Sequence, residues 1–171
     1  MGTFYDYGIG TKKSASRAVK SYRKAALLGN RDAQYNLGLA LYEGRGVKRD
    51  QKAAARWFQR AASEGLPEAG HQLGYCYRYG RGVRKNQAKG FELEIESAKN
   101  GYPEAQFSVG VCYSRGEGVP ADPKEAFKWF LKAAKRDHKD AAHNVAYFYE
   151  TGRGVREDKK KAEFWYGRAR Q

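Results

Sequence analysis

The chain repeats itself every 36 residues, and a fixed period of that length leaves few folds open. Asp32 to Pro67, Glu68 to Pro103, Glu104 to Lys139 and Asp140 to Gln171 align without a gap, the last copy being shorter, and a partial copy occupies Phe4 to Arg31. The copies beginning at Asp32 and Glu104 are identical at 13 of 36 positions, most of them glycines, alanines and aromatics. Residues 1–171 therefore read as one repeat domain.

Each copy is predicted to form two helices joined by a tight turn. Starts at Ala33, Ala69, Ala105 and Ala141 put Ala33, Leu37, Ala40 and Leu41 along one helical face. Gly8, Gly44, Gly80, Gly116 and Gly152 then share one phase, where a chain leaves a helix through a left-handed conformation. A second glycine follows two residues later at Gly10, Gly46, Gly82, Gly118 and Gly154. Ser14, Asp50, Asn86, Asp122 and Asp158 are side-chain caps for the second helix. That helix carries small residues at Ala18, Ala54, Gly90, Ala126 and Ala162, with Trp57–Phe58, Trp129–Phe130 and Trp165–Tyr166 between the small positions. A lone hairpin cannot bury such surface, whereas stacked hairpins can, so an all-α, α/α solenoid of helix-turn-helix repeats is expected.

Ala33-Gln34-Tyr35-Asn36-Leu37-Gly38, Gly44-Arg45-Gly46-Val47, Trp57-Phe58 and Ala61-Ala62 resemble the Sel-one-like repeat, a relative of the tetratricopeptide repeat, over nearly the whole chain. The resemblance implies a right-handed superhelix with first helices lining a concave side, and a non-catalytic role as an adaptor or scaffold for proteins. Cysteine-rich members pair cysteines inside each repeat. Cys76 and Cys112 do not follow that pattern; they share one phase in adjacent copies and read as buried thiols.

Enzyme chemistry finds little support. His71 and His143 stand two copies apart, about 20 Å at ~10 Å per step, too far to share a metal or a proton. Gly-Arg-Gly-Val lacks the Gly-Lys-Ser/Thr ending of a phosphate loop and recurs with the period, so it is a turn. No cofactor is implied. The opening residues carry no signal-peptide pattern and no apolar run is long enough for a membrane span, so a reducing, cytoplasmic setting is expected.

Two surfaces are candidates for binding. The groove reading takes Tyr35, His71, Tyr75 and Tyr147 with the mouth residues Tyr42, Arg78, Tyr79 and Arg115, since aromatics and arginines anchor protein interfaces. Asn36, Gln72 and Asn144 form an amide row able to pair with a peptide backbone or to brace the helices. The alternative is an anionic partner, nucleic acid or another acidic surface, on Lys12, Lys13, Lys48, Arg49, Arg84, Lys85 and Arg156. A net charge of +14, with +6 inside residues 1–31, motivates it. Lys24, Arg60, Lys132 and Arg168 make a second ladder that reads as solvated surface.

Two departures complete the reading. Glu94 replaces the aromatic of Phe58, Phe130 and Tyr166, between Glu92 and Glu96, which predicts a locally rotated helix with Phe91, Leu93 and Ile95 taking over the packing, or else a purposeful acidic spot. The chain also opens inside a repeat and stops on a second helix, so a fragment of a longer protein, or ends that meet a partner or another copy, is expected.

Overall fold

The computed structural model describes residues 14–170, and every regular element among them is an α-helix. The expected helical turn at Phe4 to Tyr7, together with Gly8, Gly10, Lys12 and Lys13, lies outside the described residues. The chain divides into two compact units, Met1–Lys85 and Asn86–Gln171. The first contains α1 (Ala15–Leu27), α2 (Arg31–Glu43), α3 (Gln51–Ser63) and α4 (Pro67–Tyr79). In the second are α5 (Gln87–Lys99), α6 (Pro103–Arg115), α7 (Pro123–Ala134), α8 (Lys139–Thr151) and α9 (Lys159–Arg170). Within each unit every helix packs on its neighbour in sequence.

Local chemistry sets most boundaries. The side chains of Ser14, Asp50, Asn86 and Asp122 each accept a backbone N–H from the first turn of α1, α3, α5 and α7, and Asp158 accepts that of Lys161 in α9. Gly44, Gly80, Gly116 and Gly152 end α2, α4, α6 and α8 in the left-handed conformation. The first helices begin two residues earlier than the alanine pattern predicted. Asn30 and His138 cap α2 and α8 through side-chain acceptors, and Pro67 and Pro103 open α4 and α6 at the position where a missing N–H costs nothing.

The two helices of a hairpin interlock through size complementarity. A β-carbon on Gly38 would stand 2.6 Å from the Phe58 ring, and one on Gly110 would stand 2.5 Å from Phe130, so the missing side chain is the socket for the aromatic. Phe130 also meets Phe148 edge-on at 5.6 Å, and Phe127 meets Tyr149 in the same way at 5.1 Å, tying α7 to α8. The second loop glycines do a different job. A β-carbon on Gly46 would fall 2.4 Å from the carbonyl carbon of Ala15, and one on Gly82 would fall 2.1 Å from the carbonyl oxygen of Gln51. Gly118 meets Gln87, and Gly154 meets Pro123, in the same manner. Each loop thus rests on the first residue of the second helix in the preceding repeat.

The rotation expected around Glu94 does not occur. Gly90, Glu94 and Ser97 are buried in the register of Ala54, Phe58 and Ala61, while Phe91, Leu93 and Ile95 are only half-buried and Glu92 and Glu96 face solvent. Glu94 itself is 0% exposed, and the thiol of Cys112 on α6 lies 3.5 Å from its Oε2. The helix keeps its phase because small residues at 90 and 97 demand the same close approach as in the other copies. One carboxylate does not outweigh that packing.

Candidate protein-interaction surface

Each unit presents its own surface. On the first, α4 carries Tyr75 and Tyr79 one turn apart, 36% and 45% exposed, with ring centroids 4.6 Å apart. Two large aromatics left in water on one helix face is the kind of exposed patch that a partner covers. Arg78 lies beneath them instead of at the mouth where the sequence placed it. It is 3% exposed, its guanidinium donates to the Tyr79 hydroxyl at 3.1 Å, and its Cζ is 5.1 Å from the Tyr79 ring. A buried guanidinium fixes the tyrosine; it does not reach out to a ligand.

Tyr35 and Tyr42 on α2 are half-buried and lean on Phe58, with centroids 5.9 and 6.4 Å away. Burial pushes the Tyr42 hydroxyl above the ordinary phenol range, with Tyr75 adding to the rise while Arg81 and Arg49 oppose it. Arg49 Cζ stands 6.0 Å from the Tyr42 ring. Asn36, His71 and Gln72 are half-buried. Lys48, Arg84 and Lys85 are exposed with Arg49 at the loop ends.

On the second unit, Tyr147 is 43% exposed and Arg115 is exposed, 3.6 Å from Glu117. Asn144 donates its side-chain amide to the carbonyl of Asp140 in its own helix at 3.0 Å, which makes it a brace and not a free amide. Arg156 is exposed. The second-helix ladder is more than solvated charge. Arg60 lies over Trp57 at 4.7 Å, Lys132 over Trp129 at 4.0 Å, and Arg168 pairs with Asp137. Three-residue spacing on a helix is the signal that would have disclosed the first two pairs.

Cys76 and Cys112 are free, buried thiols, and burial holds the Cys76 thiol up at about 11. Among the described residues no group of three or more His, Cys, Asp or Glu could hold a metal ion, and no helix is long and apolar enough to cross a membrane.

A Sel1 repeat model matches residues 1–30, 31–66, 67–102, 103–138 and 139–171. The chain belongs to the Sel1 repeat family. Among solved structures, this Sel1 repeat chain is similar to a protective antigen of uropathogenic Escherichia coli strains that displays an SLR fold. The identity is 31% and the TM-score 0.93, over 99% of this chain and 36% of that one, so it spans little more than a third of the antigen. A Sel1 repeat protein from Oxalobacter formigenes is also 31% identical, with a TM-score of 0.92 over 99% of this chain and 67% of that one. An immunity protein from Pseudomonas aeruginosa shares the fold at 21% identity and a TM-score of 0.53, over 94% and 75%. Comparison with curated proteins finds no match. The fold is an all-α solenoid of Sel1 repeats, a class that generally mediates contacts between proteins and is generally non-catalytic.

Proposed function

We propose that this chain is a non-catalytic interaction module that holds a protein or peptide against the tyrosine face of its first unit. The observation that carries the reading is the exposed Tyr75–Tyr79 pair, its rings tilted together at 4.6 Å and Tyr79 held by buried Arg78. Rings held in one arrangement before binding lose little entropy when a partner lands on them, and this is why tyrosine recurs at interface centres. Tyr42 extends the face toward Arg49.

The test is the double variant Tyr75→Ala/Tyr79→Ala, with Arg78 left in place because truncating a buried arginine would disturb the helix. Helical circular dichroism is expected to stay as in the parent while capture of partner protein from extract, read by mass spectrometry, is lost. Undiminished capture of the same proteins would remove this face from the binding surface.

A further inference from the structure

Charge on this molecule is segregated in a way that says what kind of partner the first unit takes. Residues 1–85 hold 17 Lys or Arg against 6 Asp or Glu, a net +11, whereas residues 86–171 contribute only +3. At the junction of α1, α2 and the loop leading into α3, an open cavity of about 690 Å³ is edged by Arg23, Lys48 and Arg49, with Leu41 and Val47 on its apolar side. All three cations are exposed, and none is ion-paired among the described residues. Asp50 is also on the rim, but its carboxylate is engaged in capping α3 through the N–H of Ala53 at 2.9 Å. Three exposed cations therefore edge a space whose one lining carboxylate is already engaged in a cap.

The cavity is joined to the tyrosine face. Arg49 lines the one and lies over Tyr42 of the other, and Tyr42 feels both Arg81 and Tyr75. We propose that the first unit binds an acidic peptide segment, seating Asp or Glu side chains among Arg23, Lys48 and Arg49 and its apolar side chains on Tyr42, Tyr75 and Tyr79. The proposal rests on the interaction reading above and specifies its partner. A peptide fits better than a nucleic acid for two reasons. The Tyr75 and Tyr79 rings are tilted against each other at 48°, so they do not present parallel faces for consecutive stacked bases. Glu43 and Asp50 also divide the exposed basic residues into short clusters, which suit spaced carboxylates better than a continuous phosphate track.

The test uses the full chain against a display library of random 12-residue peptides, with a random single-stranded oligonucleotide as the competing probe. Enriched peptides are expected to combine Asp or Glu with apolar residues. Their affinity should fall at least tenfold in the variant Arg23→Glu/Arg49→Glu, both positions being exposed, and should also weaken as salt rises. Enrichment without an acidic bias, with binding that the charge variant leaves intact and Tyr75→Ala/Tyr79→Ala removes, would overturn the acidic partner while keeping the interaction reading. Peptides insensitive to both variants would overturn both. Tighter binding of the oligonucleotide than of any enriched peptide would overturn the proposal in favour of nucleic acid.

Discussion

Phe58 fills the space that a side chain on Gly38 would need: its Cε1 stands 2.6 Å from the position of the absent β-carbon. The contact is between α2 and α3, in the middle of a hairpin, and no flexible end is available to move aside. Gly38→Ala therefore sets the gain in helix propensity, about 1 kcal/mol, against overpacking of about 1–3 kcal/mol. Net destabilisation is expected, read as a lower midpoint in urea unfolding, and Gly110→Ala should behave alike because Phe130 lies as close. Phe58→Ala should cost more, about 3–5 kcal/mol, since it empties the socket.

The loop glycines should be less tolerant still. Gly82 has φ +74°, and its β-carbon would fall 2.1 Å from the backbone oxygen of Gln51, a group that cannot change rotamer to escape. Gly82→Ala combines backbone strain with a clash and is expected to lower stability further than Gly38→Ala. Gly65→Ala is the control, having positive φ but nothing within 4 Å. Urea unfolding of the three variants should rank Gly82 as most damaging.

Cys76 is fully buried, and its thiol is pushed up to about 11, so little thiolate exists at neutral pH. Labelling by iodoacetamide should be slow in the native chain and rapid in urea. Prompt native labelling would mean that α4 opens far more readily than its packing implies.

Asp158 is held below the ordinary carboxylate range first by the backbone N–H of Lys161, then by the Lys161 ammonium. A depressed carboxylate contributes stability that is present above its unfolded pKa and lost as pH falls through the folded value. Acidification from about pH 6 to about pH 2 should accordingly weaken α9 more in the parent than in Asp158→Asn, whose neutral side chain still caps. Helical signal against pH for the two chains measures this directly.

Helix ends were legible wherever one side chain decides them. Asp50, Asn86 and Asp122 cap as read, because the bond spans three residues and needs no tertiary context. His138 escaped because Asn30 alone shares its phase with a capping atom, while Leu66 and Tyr102 have none, which leaves no steady pattern to notice. Burial of Glu94 and Arg78 was not legible. Both are charged by type, and only the packed fold takes them inside: Glu94 through the register that Gly90 and Ser97 impose on α5, Arg78 through the packing of α4 in the first unit. Of the candidate surface, the tyrosines of α4 were visible as exposed phases. The cavity beside Arg23 was not, since Arg23 on α1 and Lys48 in the loop before α3 come to line it only in the fold.

The resting of Gly46 on Ala15 and of Gly82 on Gln51 in the first unit, and of Gly118 on Gln87 and Gly154 on Pro123 in the second, joins the hairpins of each unit in series. Each of these turns is seated on a ledge of main chain laid down by the hairpin before it, as a course of brick sits on the one below. The seat is shared, so a hairpin that loosens withdraws support from its neighbour on either side. Within each unit, then, damage should spread along the stack from wherever it begins.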